Sequence, residues 1–101
     1  MINKRRAERR VVDMGVRKLI NGEAYVCRAC EISPIGIRLE QILEHAITDD
    51  FIEIEVPLVE GQLTTQVTAR PVWRGSGFEA FEFVHTTFAQ QAMLERLFGN
   101  Y

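Results

Sequence analysis

Five cationic side chains, Lys4, Arg5, Arg6, Arg9 and Arg10, share the opening stretch NKRRAERRVV with a single acid, Glu8. Guanidinium groups at this density suit an anionic partner, and the planar fork bonds phosphate oxygens in pairs. Two pairs have the spacing R-x-x-x-R: Arg5 with Arg9, and Arg6 with Arg10. Further along, EISPIG supplies a carboxylate, Glu31, a hydroxyl, Ser33, and a glycine, Gly36, where two strand patterns meet. These are groups for holding a ligand rather than for breaking a bond.

Other candidate chemistry is thin. Cys27 and Cys30 spell C-R-A-C inside the strand-like EAYVCRACEI. Residues three apart on a strand point to opposite faces, which opposes both a disulfide and shared metal ligation. A zinc site needs further ligands, and His45 and His85 have no recognisable spacing. The thiols are read as core or surface groups and the histidines as surface or capping residues. With no glycine-rich phosphate loop and no nucleophile elbow, the sequence assigns no catalytic residues, no metal and no cofactor.

Composition bounds the partner. The chain has 101 residues, 47% apolar and 26% charged, which suits one compact domain with a modest core. Residues 1–10 carry a local +4, so the net charge of −2 leaves −6 on residues 11–101. Such asymmetry favours an anionic partner at the N-terminus over a basic coat for a nucleic-acid polymer. No apolar run approaches membrane-spanning length and the opening residues lack a signal-peptide core, so a cytoplasmic protein without membrane insertion is expected.

The elements that must position these residues read mostly as strands. VVDMGVRKLI and AYVCRACEI flank Asn21-Gly22, the signature of a hairpin with a type I′ turn. IGIRLEQ follows as a short third strand. In FIEIEVPL, Ile52, Ile54 and Val56 alternate with Glu53 and Glu55. QLTTQVTARPVW puts Leu63, Thr65, Val67 and Ala69 on one face, and Pro71 marks an edge or a bulge. The last strand, FEAFEFV, needs a bulge near Ala80 if Phe78, Phe81 and Phe83 are all to reach the core. Ala89, Met93 and Leu97, with Leu94 and Phe98 beside them, then change the period to that of an amphipathic helix. Thr87-x-x-Gln90 fits a capping box and Gly99 the stop. The expected fold is all-β with one helix, a small six-stranded antiparallel barrel with a C-terminal α-helix.

The arginine pair and EISPIG, at this separation and in this strand order, resemble the PilZ domain, the bacterial receptor module for cyclic di-GMP (c-di-GMP). That family's pattern is R-x-x-x-R followed by [D/N]-x-S-x-x-G. The resemblance extends over nearly the whole chain, including PVWR, GFEAFEF and the closing AQQAMLERLF. It implies a barrel over residues 11–101, behind a flexible basic arm, residues 1–10, that orders over the ligand. It implies Arg6 and Arg10 as the motif arginines, Arg5 as an added one, and Arg9 as solvated. Ser33 and Gly36 would bring hydroxyl and backbone close to the ligand, and Trp73 matches a position that lines the site. The family has Asp or Asn where this chain has Glu31, whose extra methylene shifts the acceptor. The implied function is a cyclic di-GMP receptor that regulates a downstream protein in motility, pili, biofilm or virulence. The alternatives are an adaptor of the same fold with weak or no ligand binding, and a basic arm that holds nucleic acid non-specifically.

Overall fold

The structure, a computed structural model, describes residues 10–40, 50–59 and 63–99. Six strands and one helix occupy them: β1 (Arg10–Ile20), β2 (Glu23–Ser33), β3 (Gly36–Glu40), β4 (Ile52–Val59), β5 (Leu63–Gly75), β6 (Phe78–Val84) and α1 (Phe88–Phe98). The strands close into a barrel in the order β1-β2-β3-β6-β5-β4, every neighbouring pair antiparallel. The barrel with one helix is the architecture read from the sequence. β1 starts at Arg10, one residue earlier than expected, so that arginine belongs to the wall. The remaining arm residues, 1–9, and His45 lie outside the described residues. Among the described residues no helix is long and apolar enough to cross a membrane.

Local chemistry sets the turns. Asn21 and Gly22 have φ of 52° and 83°, the two positive values that a type I′ hairpin needs. Ser76 and Gly77 repeat the pair at 54° and 82° between β5 and β6. Along β4, Ile52, Ile54 and Val56 are buried while Glu55 turns outward and accepts from Arg17 of β1 at 2.8 Å. Ile32, Leu39, Ile54, Val67 and Leu94 are among the fully buried core residues, so the helix contributes to the same core as the barrel wall.

The final strand departs from the expectation. β6 alternates without a break, sending Glu79, Phe81 and Phe83 inward. The bulge lies across from it in β5: Pro71 faces Phe81 and Trp73 faces Ala80, leaving Val72 extra. Pro71 has no N–H for the ladder, so the irregularity falls on its own strand. Phe78 consequently stays half-buried on the outer face, and a glutamate takes the inward position.

In α1 only Leu94 is fully covered, and Ala89 points to solvent rather than joining the packed stripe. Two glutamines anchor the covered side instead: Gln90 donates to the Gln66 carbonyl at 2.9 Å and Gln91 to that of Pro34 at 3.3 Å. The capping box is formed, with the Thr87 hydroxyl accepting from the Gln90 amide at 3.0 Å and the Gln90 side chain accepting from the Thr87 amide at 3.1 Å. Thr87→Ala should cost about 1 kcal/mol, read as a lower midpoint in urea with an unchanged slope. A larger loss would mean that Thr87 does more than cap.

Candidate functional site

Ser33 ends β2, Gly36 starts β3, and the two are register partners across the turn made by Pro34 and Ile35. The Ser33 hydroxyl oxygen accepts from the Ile35 amide at 3.2 Å, which holds the turn. A Cβ on Gly36 would sit 2.7 Å from the Phe81 carbonyl oxygen. The sequence reading assigned this glycine to a close approach by ligand; the barrel wall itself already requires it, because β6 backbone passes against it. Beside the turn opens a cleft of ≈ 310 Å³, lined by Ser33, Ile35, Gly36, Val72, Ala80 and Glu82 among others. The β5 bulge at Val72 forms its far side.

The other motif residues fall around this cleft in different ways. Arg10 pairs with Ile32, the residue before Ser33, and its guanidinium donates to the Gly99 carbonyl at 3.2 Å, at the end of α1. Arg5 and Arg6 lie outside the described residues. Glu31 is half-buried, between Val11 of β1 and Arg38 of β3 in register. Trp73, 47% exposed, does not line the Ser33–Gly36 cleft. It borders a neighbouring hollow of ≈ 180 Å³ with Pro71, Arg74, Glu79 and Phe81.

Arg38, which the sequence reading passed over, joins these parts. Its guanidinium carbon lies 4.6 Å from the Phe78 ring centroid and 5.7 Å from that of Trp73. Ala80 faces Arg38 on one side and Trp73 on the other, so the smallest side chain of the row leaves room for the arginine to reach across it. Alternation in IGIRLE could have found it: Ile37 and Leu39 go inward, which turns Arg38 out beside the motif glycine.

The barrel and the helix superpose on solved structures of one kind. The PilZ domain of CeSA, from a cellulose-synthesizing bacterium, matches with a TM-score of 0.72 at 15% identity, over 90% of this chain and 94% of that one. The chain has the PilZ fold. The Bacillus subtilis inhibitor of motility MotI/DgrA matches with a TM-score of 0.74 at 16% identity, and Borreliella burgdorferi PlzA, solved in complex with c-di-GMP, with 0.64 at 12%. This chain spans 50% of the MotI/DgrA chain and 40% of the PlzA chain. No protein-family model and no curated protein matches the sequence.

Inside the PilZ barrel is a polar group that the sequence did not announce. Lys18 of β1 and Glu79 of β6 point into the interior from opposite walls and meet at 2.7 Å, with 0% and 1% of their side chains exposed. Arg74 donates to the second carboxylate oxygen. Burial raises the Glu79 pKa, but the hydrogen bonds from Lys18 and Arg74 and their charges outweigh it and hold the carboxyl below its ordinary value. Both cysteines of this PilZ barrel are thiols: Cys27 donates to the Tyr25 carbonyl and Cys30 to that of Arg38. Burial pushes the Cys30 thiol up, away from the thiolate form.

Proposed function

We propose that this chain is a receptor for cyclic di-GMP that changes conformation on binding and regulates a downstream protein. The observation that supports it best is the juxtaposition at one barrel end of Ser33 and Gly36, register partners beside a cleft, with Glu31 two residues before Ser33 on β2 and Arg10 on the adjoining β1. In this reading Arg6 and Arg10 pair with the phosphodiesters and guanine edges, and Arg5 adds charge. Glu31 accepts from guanine N1–H and N2–H. Arg10 already holds the carbonyl of Gly99, which caps the helix. A phosphate that takes Arg10 releases that carbonyl, which gives ligand binding a route to α1 and to whatever rests on it.

Calorimetric titration tests this. The wild type should bind cyclic di-GMP saturably and GMP not at all over the same range. Arg6→Ala and Arg10→Ala should each weaken binding by about ten- to a hundredfold, since each removes charge-assisted hydrogen bonds worth about 1.5–3 kcal/mol. Arg9→Ala should cost much less. If the three arginines prove interchangeable, with salt alone setting affinity, the arm is a non-specific tether. A wild type that binds no cyclic di-GMP at millimolar concentration leaves the adaptor reading.

A further inference from the structure

We propose that Arg38 is the base platform of this site: a guanine of the ligand stacks on its guanidinium, which is itself seated on Phe78 and Trp73. The inference rests on the cyclic di-GMP reading and names a residue outside both sequence motifs.

Three observations carry it. The guanidinium lies over two aromatic rings, at 4.6 Å from Phe78 and 5.7 Å from Trp73, and the side chain is half-buried, so the plane is held before any ligand arrives. It is also uncommitted. Arg28, Arg70 and Arg74 each pair with a carboxylate, whereas Arg38 makes no ion pair among the described residues and its buried Nε has no hydrogen-bond partner there. Finally, Arg38 stands two residues beyond Gly36 and faces Glu31 and Ala80 in register. Since Ala80 also lines the cleft with Ser33 and Gly36, a dinucleotide held at that turn lies one strand away from the guanidinium.

A planar cation between an aromatic floor and a purine differs from a point charge, and that difference gives the test. Arg38→Lys keeps the charge and loses the plane; Arg38→Met keeps the apolar stem on Phe78 and loses both. Titrated with cyclic di-GMP, both variants should bind about fivefold to about a hundredfold more weakly than the wild type, the range for losing one stacked base. Lysine should restore little. Trp73 is the sole tryptophan, so its emission reports on the platform directly. Ligand should change that emission in the wild type and leave it nearly unchanged in Arg38→Met. Thermal unfolding without ligand checks that each variant is folded. Variants that bind like a binding-competent wild type overturn the platform alone, as does full rescue by lysine. A wild type that does not bind cyclic di-GMP overturns the ligand assignment, and this inference with it.

Discussion

Glu79→Ala should lower folding stability by about 3–5 kcal/mol, the usual cost of removing one partner of a buried ion pair. Small domains are stable by only about 5–15 kcal/mol, so the variant should be partly unfolded at moderate temperature. The cause is Lys18, whose ammonium is fully enclosed, 6.0 Å from the Phe81 ring, and loses its 2.7 Å contact with the Glu79 carboxylate. Arg74→Ala should cost less, because that side chain is partly solvated and Lys18 still neutralises Glu79. Urea unfolding at neutral pH measures both. Adding Lys18→Met to a Glu79→Leu variant should recover most of the loss, since an apolar pair of similar volume removes the buried charge. A Glu79→Ala protein within 1 kcal/mol of the wild type on this scale would show that the lysine is satisfied without Glu79. The same group sets a pH dependence. Glu79 is held below its ordinary pKa of 4.5, so its contribution is complete above that value and disappears as pH falls through the lower folded-state value. The urea midpoint should therefore drop on acidification in that range, and drop less steeply in the apolar double variant.

Gly36→Ala should destabilise the unliganded protein by about 3 kcal/mol, at the upper end for an overpacked methyl. The atom it would meet, 2.7 Å away, is the Phe81 carbonyl oxygen, and the two strands are paired along five successive positions from Gly36–Glu82 to Glu40–Phe78. Neither backbone can retreat without breaking its ladder. Gly15→Ala is the control, because a Cβ there meets nothing within 4 Å. It should be neutral or mildly stabilising through the unfolded chain. Thermal unfolding of the two variants side by side, without ligand, separates the demand of the barrel on Gly36 from any demand of the ligand. Equal midpoints would put the glycine's role entirely in binding.

Much of the fold was legible because its signals are local. Alternation in FIEIEVPL, Asn21-Gly22, and the Thr87–Gln90 box each determine a backbone conformation within a few residues. What escaped depends on pairing across the barrel. A preference for phenylalanine inside predicted a bulge at Ala80, yet Glu79 goes inward because Lys18, 61 residues earlier, is there to meet it. Linear sequence does not reveal such a partner. For the site, EISPIG gave Ser33 and Gly36 as neighbours, and the structure makes them register partners. Trp73 was harder, since its link to them runs through Arg38 over Ala80, a row that exists only once β3, β6 and β5 are side by side.

Strand β6 is the last of the six described strands in sequence but stands in the wall between β3 and β5. During synthesis the β1–β2, β2–β3 and β4–β5 hairpins can form as they emerge, each closing a comparatively short loop. The wall cannot shut until Phe78–Val84 has left the ribosome and slid between two waiting edges. Until then β3 and β5 present unpaired backbone, and Lys18 has yet to meet Glu79 in the interior. Barrel closure is thus a late, long-range event, of the kind that slows folding to milliseconds or longer. A nascent chain stalled before β6 is open on both flanks, in the form most exposed to mispairing with its neighbours on the same message.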